Sequence, residues 1–565
     1  MPISPGYAAG KAIILQQMSV SDVPRYAIAT ADVEGEISRF HGALERSCEE
    51  LGQLEQRVLD ELGHMQSSIF SAHLALLQDR QFTNKVKSRV RDDLVNVEQA
   101  LDREISDLAR LLATVENEYL RERALDLQDV GKRVMRQLTR EQSRSASSLP
   151  PQSVVVARVL LPSETIDLDR QHLVAIVTEE GGENSHAAIL ARALGIPAVT
   201  AVAGACSLIA SGAPLLVDGQ TGGVTLLPSA RARKSFEGLK QRYSQHVRLE
   251  VDAERLPCVT RDGTEISLLA NINRDDEAGL VGQHHLDGVG LLRTEFMYLD
   301  SPQPPDPQLQ LAAYRRVLGA LAGRPLVIRT LDLGGDKLPA FISRRSEANP
   351  YLGLRGLRFS LSEPELFAGQ LQAIAEASRG GNVRVLFPMV LGPSDLRQGI
   401  EMLEEAAKTA GCAARPPVGA MIETPSALFA LPEILERVDF VSIGTNDLTQ
   451  LMLAADRNTT QLLESASVLH PSVVRAIHQV VRACQAAGRE LCVCGEAAGD
   501  PDFAGLLAGL GVRHLSMSPV RSASVRFRLR ASRLQALQRL AEQALAAESA
   551  QEVAQLLAAT CAGEA

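Results

Sequence analysis

One histidine has neighbours suited to nucleophilic chemistry. The stretch EEGGENSHAAILARALGIPAV runs from Glu179 to Val199. Gly181 and Gly182 provide a turn that tolerates positive φ. Ser185 is a good N-cap for a helix beginning at His186. Ala187 to Leu194 favours helix, Gly195 stops it, and Pro197 lies beyond. A ring at the positive end of a helix is discouraged from becoming imidazolium and stays nucleophilic. The same end, with its free N–H groups, stabilises a phosphate once one is attached. A lone histidine at a helix start is more often a cap or a surface residue. The small residues that follow, which leave space for an incoming phosphoryl donor, shift the balance.

A second set of reactive residues stands where short apolar runs end. Arg293 and Glu295 follow GVGLL; Arg329 and Asp332 follow PLVI, with GGDK (Gly334 to Lys337) after them. Glu423 ends VGAMI, Asn446 and Asp447 end FVSIGT, and Cys494 and Glu496 end ELCV. Arg355 and Arg457 lie in neighbouring loops. Guanidinium forks match phosphate and carboxylate bidentately. Two carboxylates from different runs, Glu423 and Asp447, suit a hard cation such as Mg²⁺. Any one of these arginines could equally form an ion pair on a rim. Taken together they ask for a small anion carrying phosphate, with room for a carboxylate, held through a metal, and phosphoenolpyruvate meets those demands.

Such residues need elements to position them. Residues 1–22 read as a short strand segment. No proline stands between Pro24 and Pro150, and Ile37, Phe40, Leu44, Leu51, Leu54, Val58 and Leu62 fall at helical spacing. Residues 23–145 are therefore an all-helical bundle. Residues 146–228 carry strands such as SVVVARVLL and HLVAIVTEE around the helix SHAAILARAL, a compact α/β unit. The opening strand segment is expected to join this unit, which makes the helical block an insertion. Residues 229–250 form a charged linker helix. Residues 251–565 alternate strand and helix: ISLLANI, GVGLLRTE, PLVIRTLD, VRVLFPMV, VGAMIETP, FVSIGTND, ELCVCGE and HLSMS are eight strand candidates, the pattern of a (β/α)₈ TIM barrel. Runs this apolar suit strands buried on both faces, and barrel chemistry sits where strands end.

Composition narrows the function. The 565 residues are 45% hydrophobic and 22% charged, as in soluble globular proteins. A net charge of −10 argues against nucleic acid as the main partner. No apolar run is long enough to span a membrane, and MPISPGYAAGK lacks the pattern of a signal peptide. Eight cysteines in a chain this long indicate reduced thiols in a cytosolic protein. Cys492 and Cys494 read as strand cysteines on opposite faces. His73, in IFSAHLALLQD, reads from its surroundings as a half-exposed helix residue, and His470, before Pro471, as part of a turn.

The chain resembles enzyme I of the phosphotransferase system, a phosphoenolpyruvate–protein phosphotransferase of the PEP-utilising family, over nearly its full length. The motifs SPG, IFSAHLALLQD, YLRERALDLQDVGKR, LPSET, GGENSHAAILAR, GVGLLRTEFMYLD, IRTLDLGGDK, NPYLGLRGLR, MIETP, SIGTNDLTQ, AADR and CGEAAGD carry the resemblance. It implies that His186 is phosphorylated; that Arg293, Arg329 and Arg355 hold phosphoenolpyruvate with Asn446, Asp447, Arg457 and Lys337 assisting; that Glu423 and Asp447 ligate Mg²⁺; and that Cys494 protonates the enolate as pyruvate forms. It further implies that the helical block docks the phosphocarrier HPr or an HPr-like domain, with His73 on or near that surface, and that the barrel mediates a homodimer. Asn184 stands where the family often has Thr, and Val159 to Leu161 replace a segment that usually carries an acidic residue and Thr. Two other readings are weaker. A PEP synthase or pyruvate phosphate dikinase needs an ATP-binding domain, and no Gly-rich nucleotide loop is present. A non-catalytic regulator that binds phosphocarriers predicts a lost site residue, whereas His186, Glu423, Asp447 and Cys494 all stand.

Overall fold

In a computed structural model the described residues are 1–15, 23–62, 64–113, 118–139, 149–168, 171–182, 185–299, 301, 303–334, 339, 341–342, 349, 352–455 and 467–563. They form two compact units, Met1–His246 and Val247–Ala565.

The first unit combines a sheet with a helical block. Strands β1 (Pro2–Ser4) and β2 (Tyr7–Ile14) precede the block; β3 (Ser153–Ala157), β4 (Leu173–Thr178), β5 (Ala198–Val199), β6 (Pro214–Asp218) and β7 (Gly223–Leu226) follow it. All seven share one sheet in the order β1-β5-β4-β3-β2-β6-β7. Strand β2 runs parallel to β3 and antiparallel to β6, so the opening segment does join the later α/β unit. Every residue of β3, SVVVA, is buried, as a central strand covered on both faces requires.

Between β2 and β3 lie α1 (Val33–Leu62), α2 (His64–Gln78), α3 (Arg80–Asp93), α4 (Val97–Ala113) and α5 (Glu118–Thr139). Spacings of three, four and eleven residues place Ile37, Phe40, Leu51, Leu54 and Val58 on one face of α1, all in the block's core. Two short helices follow β3 and β4: α6 (Pro162–Asp167) and α7 (His186–Ala193). Their residues Ile166 and Leu190 belong to the same core as the helical block. At roughly 1.5–3 kcal/mol for each fully buried large apolar side chain, this shared core favours the arrangement described here.

The second unit is a closed barrel of eight parallel strands: β8 (Ser267–Ile272), β9 (Val289–Leu292), β10 (Leu326–Arg329), β11 (Val383–Phe387), β12 (Val418–Ile422), β13 (Phe440–Ile443), β14 (Glu490–Val493) and β15 (His514–Met517). Each falls on one of the eight apolar runs. Leu291, Val327, Leu386, Met421, Phe440 and Cys494 pack together as one cluster, a layer of inward-facing side chains. The helices Pro307–Leu321, Pro364–Ser378, Pro393–Thr409, Pro471–Ala487 and Pro501–Leu510 each open on proline, whose fixed φ and missing N–H suit the first helical position. His470 is the N-cap of the fourth, its Nδ1 accepting from Ser472 N at 3.3 Å. The turn reading of His470 therefore holds.

Candidate active site

The ends of five barrel strands bring the expected residues together. Arg329, the last residue of β10, is 9% exposed. Its Nη2 donates to Glu295 Oε1 at 2.9 Å, and its Nη1 lies 3.2 Å from Asp332 Oδ2. Arg355, also buried, reaches the same Asp332 from the other side: Nε donates to Oδ1 at 3.2 Å and Nη2 to Oδ2 at 3.0 Å. Its Nη1 donates to Asp447 Oδ1 at 2.9 Å. Asp332 thus sits between two guanidiniums. Burial opposes its ionisation, but Arg329 and Arg355 outweigh burial and hold the carboxyl below its usual value. Arg293, just past β9, adds to this positive field, acting on both Asp332 and Cys494. The Nε of Arg329 is buried and has no hydrogen-bond partner among the described residues. A buried unpaired cationic donor is a place for an anion.

Glu423 follows β12 and is 1% exposed; its Oε1 accepts from Met389 N at 2.6 Å. Burial, and then the charges of Asp447 and Asp332, push its carboxyl up to about 8. A buried acid that resists ionisation beside other carboxylates is what a cation relieves. A Cβ on Gly444 would lie 2.4 Å from Glu423 Oε2, so only glycine lets β13 approach this carboxylate. Oxygen donors from Glu423 and Asp447, completed by water and phosphate oxygens, fit Mg²⁺, which typically takes one or two protein carboxylates.

Cys494 follows β14 inside the barrel. Ser442 Oγ donates to its Sγ at 3.0 Å, and the thiol points to Ile443 O at 3.5 Å. Burial pushes the thiol up to about 11, with Ser442 pulling it down. The thiol therefore holds its proton at neutral pH and can act as an acid. The opposite-face reading of the cysteine pair is corrected here: residues two apart on a strand share a face, and both cysteines interact with Ser442. Alkylation of Cys494 by iodoacetamide should stay slow near neutrality and accelerate towards about pH 11, where thiolate forms. Mass-spectrometric mapping across a pH series checks this, and fast modification at pH 7 would contradict it.

Sequence reasoning passed over the groups that hold these residues. Asn271, the one amide in the strand SLLANI, donates Nδ2–H to Cys494 O at 2.9 Å and accepts from Ser516 Oγ at 2.6 Å. Gln370, fully buried, accepts from Leu331 N at 3.1 Å and donates to Thr294 Oγ1 at 3.0 Å. Thr294 Oγ1 in turn donates to Arg329 O at 3.0 Å. A polar residue inside an apolar run was the available signal for Asn271 and Ser442; for Gln370, on a helix, there was none. Asn446 accepts from Glu496 N at 3.3 Å, linking the ends of β13 and β14. Lys337 and Arg457 lie outside the described residues.

The first unit positions the histidine. His186 opens α7, and Ser185 Oγ caps the helix by accepting from Ala188 N at 3.3 Å. Gly195, at φ 65°, ends it with its N–H on Arg192 O. The preceding loop is held by Thr178 and Thr200: their hydroxyls are 2.8 Å apart, and Thr200 Oγ1 donates to Gly181 O at 3.2 Å. Asn184 lies outside the described residues. His73 proves different from expectation. It is 1% exposed within the helical block, with Nε2 3.2 Å from Asp126 Oδ1. A ring so enclosed is neither half-exposed nor available as a surface contact for a docked protein.

The chain matches three family profiles in succession: the N-terminal domain of PEP-utilising enzymes over residues 1–123, their mobile domain over 149–222 and their PEP-binding domain over 248–534. It is 36% identical to the phosphoenolpyruvate–protein phosphotransferase of Bacillus subtilis (strain 168), covering 97% of both chains. With the protein of that name from Bacillus sp. (strain S) it shares 35% identity over 97% of this chain and 96% of the other. It is 38% identical to a multiphosphoryl transfer protein of Rhodobacter capsulatus over 97% of this chain and 66% of that one. Three profiles in the order of the described elements, with relatives matched end to end, lead to one conclusion: the chain belongs to the PEP-utilising enzyme family, in its phosphoenolpyruvate–protein phosphotransferase branch.

Proposed function

We propose that this enzyme takes the phosphoryl group of phosphoenolpyruvate onto His186, with Mg²⁺ present, and passes it to a histidine of HPr or an HPr-like domain docked on the helical block. Asp332 clamped between Arg329 and Arg355, beside two carboxylates at the barrel mouth, is the observation that most supports the reading. Arg329, Arg355 and Arg293 bind and neutralise the phosphate and carboxylate of the substrate, with Asn446, Lys337 and Arg457 assisting. Glu423 and Asp447 would hold Mg²⁺, which when bound supplies charge neutralisation on the phosphate oxygens. A ring nitrogen of His186 attacks phosphorus while the bond to the enol oxygen breaks. The departing enolate takes a proton at its methylene carbon from the Cys494 thiol and becomes pyruvate. The segment carrying His186, residues 1–22 and 146–228, swings between barrel and carrier. The barrel supports a homodimer.

Among the described residues no helix is long and apolar enough to cross a membrane. Intact-mass analysis after mixing with phosphoenolpyruvate and Mg²⁺, without ATP, should show one added acid-labile phosphoryl group that maps to His186. Addition of excess EDTA beforehand should prevent the gain. A folded protein that gains no mass, or gains it equally with EDTA, would overturn the reading. Cys494→Ala should still bind phosphoenolpyruvate but release pyruvate about 10²–10⁴-fold more slowly, the range for losing a positioned acid. Wild-type turnover in that variant would remove Cys494 from the mechanism.

A further inference from the structure

His73 is buried, polar and unused by the chemistry above. Its neighbours give it a place. On one side Nε2 lies 3.2 Å from Asp126 Oδ1; on the other Nδ1 lies 4.0 Å from Asp129 Oδ2. Phe70 covers the ring edge-on, with centroids 5.7 Å apart. Asp126 and Asp129, both on α5, are 3% and 2% exposed. Three buried polar side chains in a helical bundle are costly unless they hold something in place.

What they hold is α6. Ser163, 1% exposed, donates its backbone N–H to Asp129 Oδ2 at 3.0 Å. Its hydroxyl donates to the other oxygen of the same carboxylate. Asp129 is therefore gripped twice by the first turn of a helix that belongs to the sheet, while His73 flanks it from within the bundle. One turn along, Lys132 Nζ lies 3.5 Å from Glu164 Oε1, a second tie between the same two helices. Helix α6 packs on α7, the helix that opens on His186.

We propose that His73, Asp126, Asp129 and Ser163 form a polar joint that sets the helical block in register with the helix carrying His186 during transfer to the carrier, and that parts when the His186 segment swings to the barrel. Through it His73 acts as a positioning residue for phosphoryl transfer to the carrier, without touching the carrier. This rests on the reading above, in which the carrier docks on the helical block. Apolar packing of Ile166 and Leu190 into the bundle core gives adhesion but little direction. Paired hydrogen bonds to one carboxylate fix orientation as well. Register matters because transfer between two histidines needs an in-line approach, and a misplacement of 1 Å can cost about 10²-fold in rate.

The test separates two half-reactions of the full-length enzyme. The first is phosphorylation by phosphoenolpyruvate and Mg²⁺. The second is transfer from the phosphorylated enzyme to a purified HPr that the wild type phosphorylates. Ser163→Ala and His73→Leu should leave the first half within about twofold of wild type and slow the second about tenfold or more. Ser163→Thr and His73→Gln, which keep a hydroxyl and an N–H donor, should restore most of the loss. Equal slowing of both halves, together with a lower Tm, would mean that these residues only stabilise the fold, and would overturn the proposal. So would unchanged transfer in folded Ser163→Ala and His73→Leu. If the wild type itself accepts phosphate from phosphoenolpyruvate but hands it to no carrier, the carrier step of the proposed function fails and this inference falls with it.

Discussion

His186→Ala should abolish phosphorylation by phosphoenolpyruvate, with a loss on the order of 10⁶-fold, the scale for deleting a nucleophile outright. The fold should survive. Alanine is the best helix former, and the Ser185 cap bonds the backbone of Ala188, which the substitution leaves alone. The barrel unit has its own core. The variant should therefore still bind phosphoenolpyruvate in the barrel, with a Kd close to that of wild type. Intact mass, circular dichroism and a binding isotherm together check the three statements. A variant that still gains one phosphoryl group would move the acceptor elsewhere and end the assignment of His186.

The barrel was legible because each of its eight strands falls on a short apolar run, five of them closed by polar residues. Strand interiors must be apolar where both faces are covered, and the active residues stand where that cover stops. The sheet of the first unit was legible in outline: SPG and KAIILQ had no partner nearby in sequence, so pairing with the later α/β unit followed. His73 was misjudged for a physical reason. Helical periodicity shows which positions face a core, but it does not show that a second carboxylate, from a helix some fifty residues later, will be there to receive an imidazole. The sequence had Asp126 and Asp129 in DLQD and Ser163 in LPSET; only the fold brings α2, α5 and α6 to one point. Gln370 and Asn271 were missed on the same grounds, since their roles lie in contacts between distant strand ends. The cysteine pair was misread through strand geometry alone, as alternate residues of one strand share a face.

The second large effect belongs to Arg329, and two substitutions separate its roles. Arg329→Leu removes the guanidinium that, among the described residues, pairs with both Glu295 and Asp332. Both carboxylates are buried, and among the described residues Asp332 would keep only Arg355 as an ion-pair partner at close range. Breaking a buried pair by removing one member costs about 3–5 kcal/mol, because the other charge stays behind without compensation. The leucine variant should thus be hard to obtain folded, and a low rate from it would say little about substrate. Arg329→Lys is the informative change. It keeps a positive charge between the carboxylates but replaces a planar fork by a point charge, and so loses the bidentate geometry that suits a phosphate. Its Tm should stay near wild type while kcat/KM for phosphoenolpyruvate falls about 10²–10³-fold, the scale for one lost electrostatic donor at a developing charge. A fall carried mainly by kcat would mean that the fork acts on the phosphoryl group in the transition state; a fall carried by KM alone would mean that it only anchors the substrate. Wild-type kcat/KM in a folded Arg329→Lys would show that Arg329 serves the barrel rim rather than the substrate, and phosphate binding would then rest on Arg293 and Arg355.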